Sequence, residues 1–202
     1  MKNSTLANDK SKVLQRGVAA VEFALIAIPL LLLLLGAMEF GRLLYLWNTA
    51  QEVTRNAARQ AVVTDFTDYT SNTSPIATVR RNAVFRATDG FLPASSEIAN
   101  ANVVILYLNA EEKVITKMPD SPGDNIAACL DASRSASCIR YVEVCLSREN
   151  TCSPAQTIAF KPMIGLFSKS GANATDLSGI RIPLSTVRMP AESLGFNPVP
   201  EG

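Results

Sequence analysis

The sequence predicts an α+β protein: a long N-terminal helix containing one membrane span, followed by a head with an antiparallel β-sheet. Three observations carry this prediction. Hydrophobic residues make up 48% of the 202, and their excess is concentrated in one run near the N-terminus. Beyond that run, helical spacing gives way to short stretches of strand-type alternation without a repeating β-α-β order. All four cysteines, Cys129, Cys138, Cys145 and Cys152, fall in this later part, as disulfides of an exported head do.

From Val18 to Ala37 the chain reads VAAVEFALIAIPLLLLLLGA, with Glu22 its one charge. At the helical rise these residues span about 30 Å, the thickness of a bilayer's hydrocarbon core. Lys2, Lys10, Lys12 and Arg16 precede the run against Asp9 alone, which predicts a cytoplasmic N-terminus. The remainder has 15 basic and 17 acidic residues and lies on the outer side. A removable secretory signal fits poorly, because a cut after Leu35-Gly36-Ala37 places leucine where a small residue is needed and the apolar run is too long. Leu43, Leu46, Ala50, Val53, Ala57 and Ala61 continue at spacings of three and four, which predicts one helix of roughly 40 residues over 18–63. Pro29 is a candidate kink, Gly36 and Gly41 permit close packing, Glu39 and Arg42 are spaced for an ion pair, and Tyr45 and Trp47 suit the outer interface.

The polar residues Asp65 to Ser74 predict a loop, and Ser74-Pro75 a helix start, with Ile76, Val79, Ala83 and Ala87 as an apolar stripe ending near Gly90. Arg80, Arg81 and Arg86 lie largely off that stripe and read as a solvated face, with a contact to an acidic partner or lipid headgroup as the alternative. Asn102–Leu108 and Val114–Met118 predict a hairpin around the turn 109–113, followed by an irregular loop over Pro119–Asn125. Cys138–Leu146 alternates as a half-buried strand does, and Ile180–Met189, interrupted by Pro183, predicts an edge strand or a bulge. Lys161–Ser168 is compatible with a short helix or a strand. The expected division is a basic leader (1–17), an extended helix (18–63) and an extracytoplasmic head (64–202).

Composition removes several function classes. The chain has no histidine, which excludes Ser-His-Asp and Cys-His nucleophiles and histidine-ligated metals. The net charge of +1 argues against a sequence-independent nucleic-acid binder. No glycine-rich phosphate loop occurs, and Asp120, Asp124, Asp131 and Glu143 lack the alternation of a calcium loop. No cofactor, metal or small-molecule substrate is expected. Local pairs, Cys129–Cys138 and Cys145–Cys152, are favoured because each closes a short loop, while the spacing also admits crossed pairs.

Glu22 requires an explanation, since a carboxylate inside a membrane helix is costly unless protonated or paired. One reading places it close enough to the cytoplasmic face to reach headgroups and water. The other starts from a cut after Gly17, which creates an ammonium group on Val18, four positions from Glu22, so that opposite charges fix the register of neighbouring subunits.

The segment from Arg16 to Val63 resembles the TadE-like domain of minor pseudopilins in tight-adherence, Flp-type pilus systems. Gly17 followed by Glu22-Phe23 is similar to the cleavage motif of a prepilin peptidase, and Glu39-Phe40-Gly41-Arg42 with Tyr45 resembles the family's next block. The resemblance implies processing between Gly17 and Val18 by a separate membrane aspartic peptidase, and Glu22 acting in assembly. It implies as partners that peptidase, other pilin or pseudopilin subunits, the assembly platform and the bacterial inner membrane. Catalysis by this chain is not expected. A single-span anchored binding or sensor protein is the competing reading, and an enzyme with a carboxylate site in the head is a third.

Overall fold

The structure is a computed structural model describing residues 5–69, 71–164 and 179–197, with side chains from residue 18 onward. It divides into two compact units, residues 1–43 and residues 44–202.

Helix α1 runs unbroken from Thr5 to Ala61 and passes through Pro29. It therefore begins before the apolar run and is longer than periodicity predicts, because helical backbone needs no apolar stripe when propensity and neighbouring turns suffice. In the first unit the described apolar side chains from Val18 to Leu34 point outward all round the helix. In the second unit one face becomes a core surface: Leu46, Ala50, Val53, Ala57, Ala58 and Ala61 are fully buried. Small residues at most of these positions let the head's backbone approach the helix closely.

Helix α2 (Pro75–Ala83) starts as expected, with the Ser74 hydroxyl accepting from the Ala77 amide at 3.0 Å and Ile76, Val79 and Ala83 buried. It ends before Gly90 because Phe85 takes a left-handed conformation at φ 58°. Strand β1 spans Val103–Leu108, β2 Tyr141–Leu146 and β3 Val187–Pro190, forming an antiparallel sheet in the order β1-β2-β3.

The sheet departs from the predicted hairpin. The partner of β1 along its whole length is β2, with Val103 opposite Leu146 and Leu108 opposite Tyr141. Val114–Met118 contributes one bridge, Val114 to Leu108, and a bond from the Ile115 amide to the Tyr107 carbonyl at 2.9 Å. Burial explains the choice: β2 is buried from Val142 to Leu146, whereas Val114 stays exposed, with Lys113 just before its segment and Lys117 within it. For the same reason β2 is covered on both faces rather than half-buried.

The expected irregular loop at 119–125 contains the start of a helix, α3 (Pro122–Leu130), whose amide at Asp124 is capped by the Ser121 hydroxyl at 3.0 Å. The final strand is shorter than predicted: Pro183 ends regular pairing, Arg181 forms only a bridge to Ala159, and β3 lies at the sheet edge. Residues 161–164 form neither helix nor strand, and the rest of the 161–168 segment lies outside the described residues.

Two sets of bonds orient the second unit along its part of α1. Near one end, the Tyr45 hydroxyl donates to the Pro93 carbonyl at 3.1 Å. At the other, the Val62 carbonyl accepts from the amides of Glu192 (3.2 Å) and Leu194 (3.1 Å), and Ala191 in turn donates to Arg140 beside the end of β1. Asn125 of α3 accepts from the Ile139 amide at 2.7 Å, which places α3 at this Val62 end.

Candidate functional site

The residues singled out in sequence share one helix. Gly17, Val18, Glu22 and Phe23 all lie within α1, and Val18 and Glu22, four positions apart, share a face one turn from each other. Val18 is 58% exposed and Phe23 74%, and Glu22 is exposed between them. The apolar surface continues to Leu34, with Leu33 at 72%. Such a helix, apolar on every side, needs lipid or other helices as its surroundings. It is the one helix among the described residues long and apolar enough to cross a membrane. Glu39 and Arg42 form an ion pair at 3.7 Å one turn apart, as their spacing predicts.

In the head, Cys129 is bonded to Cys138 and Cys145 to Cys152. The first ties α3 to the chain entering β2. The second ties the buried end of β2 to the following loop. Both close short loops and restrict the unfolded chain.

Of the head carboxylates weighed in sequence, Asp124, Asp131 and Glu143 are occupied by structural partners. Asp124 receives two bonds from one Arg134 nitrogen, at 2.8 and 2.9 Å, and one from the Asp120 amide. The bond from Arg134, then that amide, hold its carboxyl below the ordinary value. Asp131 caps the following turn through the Ser133 amide at 2.9 Å. Glu143, on the middle strand, receives Arg188 from the facing position of β3 at 3.0 and 2.6 Å, and Arg188 also pairs with Glu112. Among the described residues no group of three or more Asp, Glu, Cys or His is arranged to hold a metal ion.

The three arginines after Ser74 are engaged locally rather than merely solvated. Arg80 lies over the Tyr69 ring at 5.0 Å, Arg81 donates to the Asn72 carbonyl at 2.7 Å, and Arg86 donates to the Phe91 carbonyl at 2.7 Å. A feature absent from the sequence reading is the loop from Phe91 to Ala99, bridged at its two ends and holding an exposed Phe91. The signal available was an apolar pair, Phe91-Leu92, bounded by glycine and proline.

Residues 17–59 match the family model described as TadE-like protein. The match begins at Gly17, follows α1, and ends two residues before the helix does. Over this segment the chain is similar to TadE-like proteins. No curated protein and no solved structure matches the chain.

Proposed function

We infer that this chain is a minor pilin-like (pseudopilin) subunit of a tight-adherence, Flp-type pilus system, acting through assembly rather than catalysis. The observation that carries this reading is the TadE-like match laid along a helix whose apolar side chains are exposed all round from Val18 to Leu34. A surface of that kind is suited first to a lipid bilayer and then to the helices of other subunits.

In this reading the basic leader stays in the cytoplasm and the head faces the periplasm, where its two disulfides form. A prepilin peptidase cuts between Gly17 and Val18. The new ammonium group then lies one helical turn from Glu22, and their opposite charges, in neighbouring subunits, set the axial register. The partners are the peptidase, other pilin or pseudopilin subunits and the assembly platform in the inner membrane.

The test is the intact mass and N-terminal sequence of the chain recovered from native membranes, with and without the candidate peptidase. A chain beginning at Val18 only when the peptidase is present is the expected result. A chain that keeps its leader in both strains would exclude pseudopilin processing and leave a permanently tethered head.

A further inference from the structure

Within the second unit, the part of α1 from Leu44 onward buries one face in the head's core and leaves the opposite face exposed. Glu52, Arg55 and Arg59 lie along the middle of that exposed face. Their spacings of three and four keep them within about 60° of one another around the helix, so they form one stripe. Leu44 and Asn48, also exposed, continue it toward the start of the unit. The polar side chains alongside are engaged within the chain: the Thr49 hydroxyl donates to the Tyr45 carbonyl at 2.8 Å, and the Gln60 amide donates to the Asn56 side chain at 2.8 Å. The side chains of Glu52, Arg55 and Arg59 have no ion pair or hydrogen bond among the described residues.

Arg55 and Arg59 stand one turn apart with no acid between them, a like-charge pair that weakens a helix. A carboxylate supplied from outside relieves that repulsion, and the stripe carries the matching group itself. Glu52 precedes the two arginines by about 4.5 and 10.5 Å of helical rise. When two parallel copies of this helix are displaced by about 6–8 Å, four or five positions, Glu52 of one comes level with the gap between Arg55 and Arg59 of the other. Copies inserted in one membrane in the same sense are parallel. The pair of Val18 and Glu22 asks for a displacement of the same sense and size, counted in positions along α1, so the two sets of charges do not compete.

We propose that the stripe of Glu52, Arg55 and Arg59 is a self-complementary contact between copies of this chain, with the Glu52 carboxylate of one subunit seated between the two arginines of a parallel, displaced neighbour. This rests on the reading of the chain as an assembling subunit and names a second copy as the partner of this face. The occupant is a second copy because acid and base stand on the same exposed helix face at a repeat that one displacement satisfies. A partner of one charge sign would answer only half of the stripe. The contact fixes the axial stagger of the helical parts that carry the heads.

The test uses cells that produce two differently tagged full-length copies, read in native membranes. One copy carries Leu44→Cys and the other Asn48→Cys, positions that the displacement brings level. The native cysteines are all in disulfides, which leaves the two new thiols to join each other on mild oxidation. The 44–48 link is expected to form about fivefold more than 44–44 or 48–48. Glu52→Arg in the Leu44→Cys copy is expected to lower that yield about fivefold, and Arg55→Glu with Arg59→Glu in the Asn48→Cys copy to restore it. Glu52→Gln, which removes the charge and keeps the shape, is expected to lower it about twofold and serves should the Arg variant accumulate poorly. Links as frequent at 44–44 as at 44–48, or unmoved by the charge exchanges, overturn the proposal. Links formed only with a protein of another mass assign the stripe to a different partner and also overturn it. Absence of the 44–48 link in chains that begin at Val18 overturns the contact and leaves the pseudopilin reading standing. A charge-dependent link in chains that keep their leader does the reverse.

Discussion

Gly195 lies so close to Asp65 that a Cβ at its position would stand 2.7 Å from the Asp65 Cα, Cβ and amide nitrogen. Its φ of +82° is also one that L side chains avoid. The adjoining amides of Glu192 and Leu194 converge on the Val62 carbonyl, so this is where the last described stretch of chain is fastened to the end of α1.

Gly195→Ala is expected to destabilise the head by about 2–4 kcal/mol, since both the backbone conformation and the contact with Asp65 are forbidden to it. Urea unfolding of the full chain in detergent, followed by Trp47 fluorescence, reads this out. A midpoint equal to that of the native chain would mean the Asp65 contact relaxes freely.

Each disulfide closes a short loop, with sequence separations of nine and seven residues. Removing either by paired Cys→Ser exchange is expected to cost about 2–3 kcal/mol. The Cys129–Cys138 pair is expected to cost slightly more, because each bridge has one buried cysteine, Cys138 and Cys145, and the loop closed by Cys129–Cys138 is the longer of the two. The order of the two unfolding midpoints checks the argument.

Tyr107 is buried between Phe66 and Tyr69, with ring centroids 5.8 and 6.3 Å away, and its hydroxyl has no hydrogen-bond partner among the described residues. Tyr107→Phe is therefore expected to leave stability unchanged or raise it by about 1 kcal/mol. Burial, then the neighbouring Tyr69, pushes the phenol far above its ordinary 10.0. A raised folded value means a contribution fully present below pH 10.0 and lost as pH rises toward the folded value. Alkaline unfolding should accordingly be shifted to higher pH in the Phe variant. An unchanged alkaline midpoint would show that Tyr107 does not govern that transition.

Glu22→Ala is expected to leave the chain in the membrane fraction, since it removes the only charge from the apolar run, yet to lower assembled pili by about tenfold or more through loss of the register pair. Counting pili by electron microscopy beside a membrane fractionation separates the two effects. Normal piliation would end the role proposed for this carboxylate.

The Ser-Pro starts of α2 and α3 differ in how much of them is legible from neighbouring residues. At Ser74-Pro75 an apolar stripe follows and the helix is legible. At Ser121-Pro122 the same cap is present, but Pro119, Asp120 and Gly123 surround it and only Asn125 and Ala128 of α3 become buried. That helix is held by the Asn125–Ile139 bonds and the Cys129–Cys138 link, contacts between segments distant enough in sequence that periodicity does not register them. The placement of Gly17, Val18, Glu22 and Phe23 on one helix was legible because they are near neighbours in sequence. The Phe91 loop was not, since its place depends on Tyr45, forty-eight positions from Pro93.

The apolar helix, the cap of α2 and the approximate positions of the strands were legible in the residues alone, because they follow from interactions within a few turns; local disulfides were favoured there, and their pairing was settled only in the folded chain. The folded chain alone shows that β1 pairs with β2 and that Arg188 neutralises Glu143 across the sheet. The physical reason is that backbone hydrogen bonding satisfies a strand equally well with any antiparallel neighbour. The choice falls to the partner that buries more apolar surface, a property of the assembled chain rather than of any short stretch.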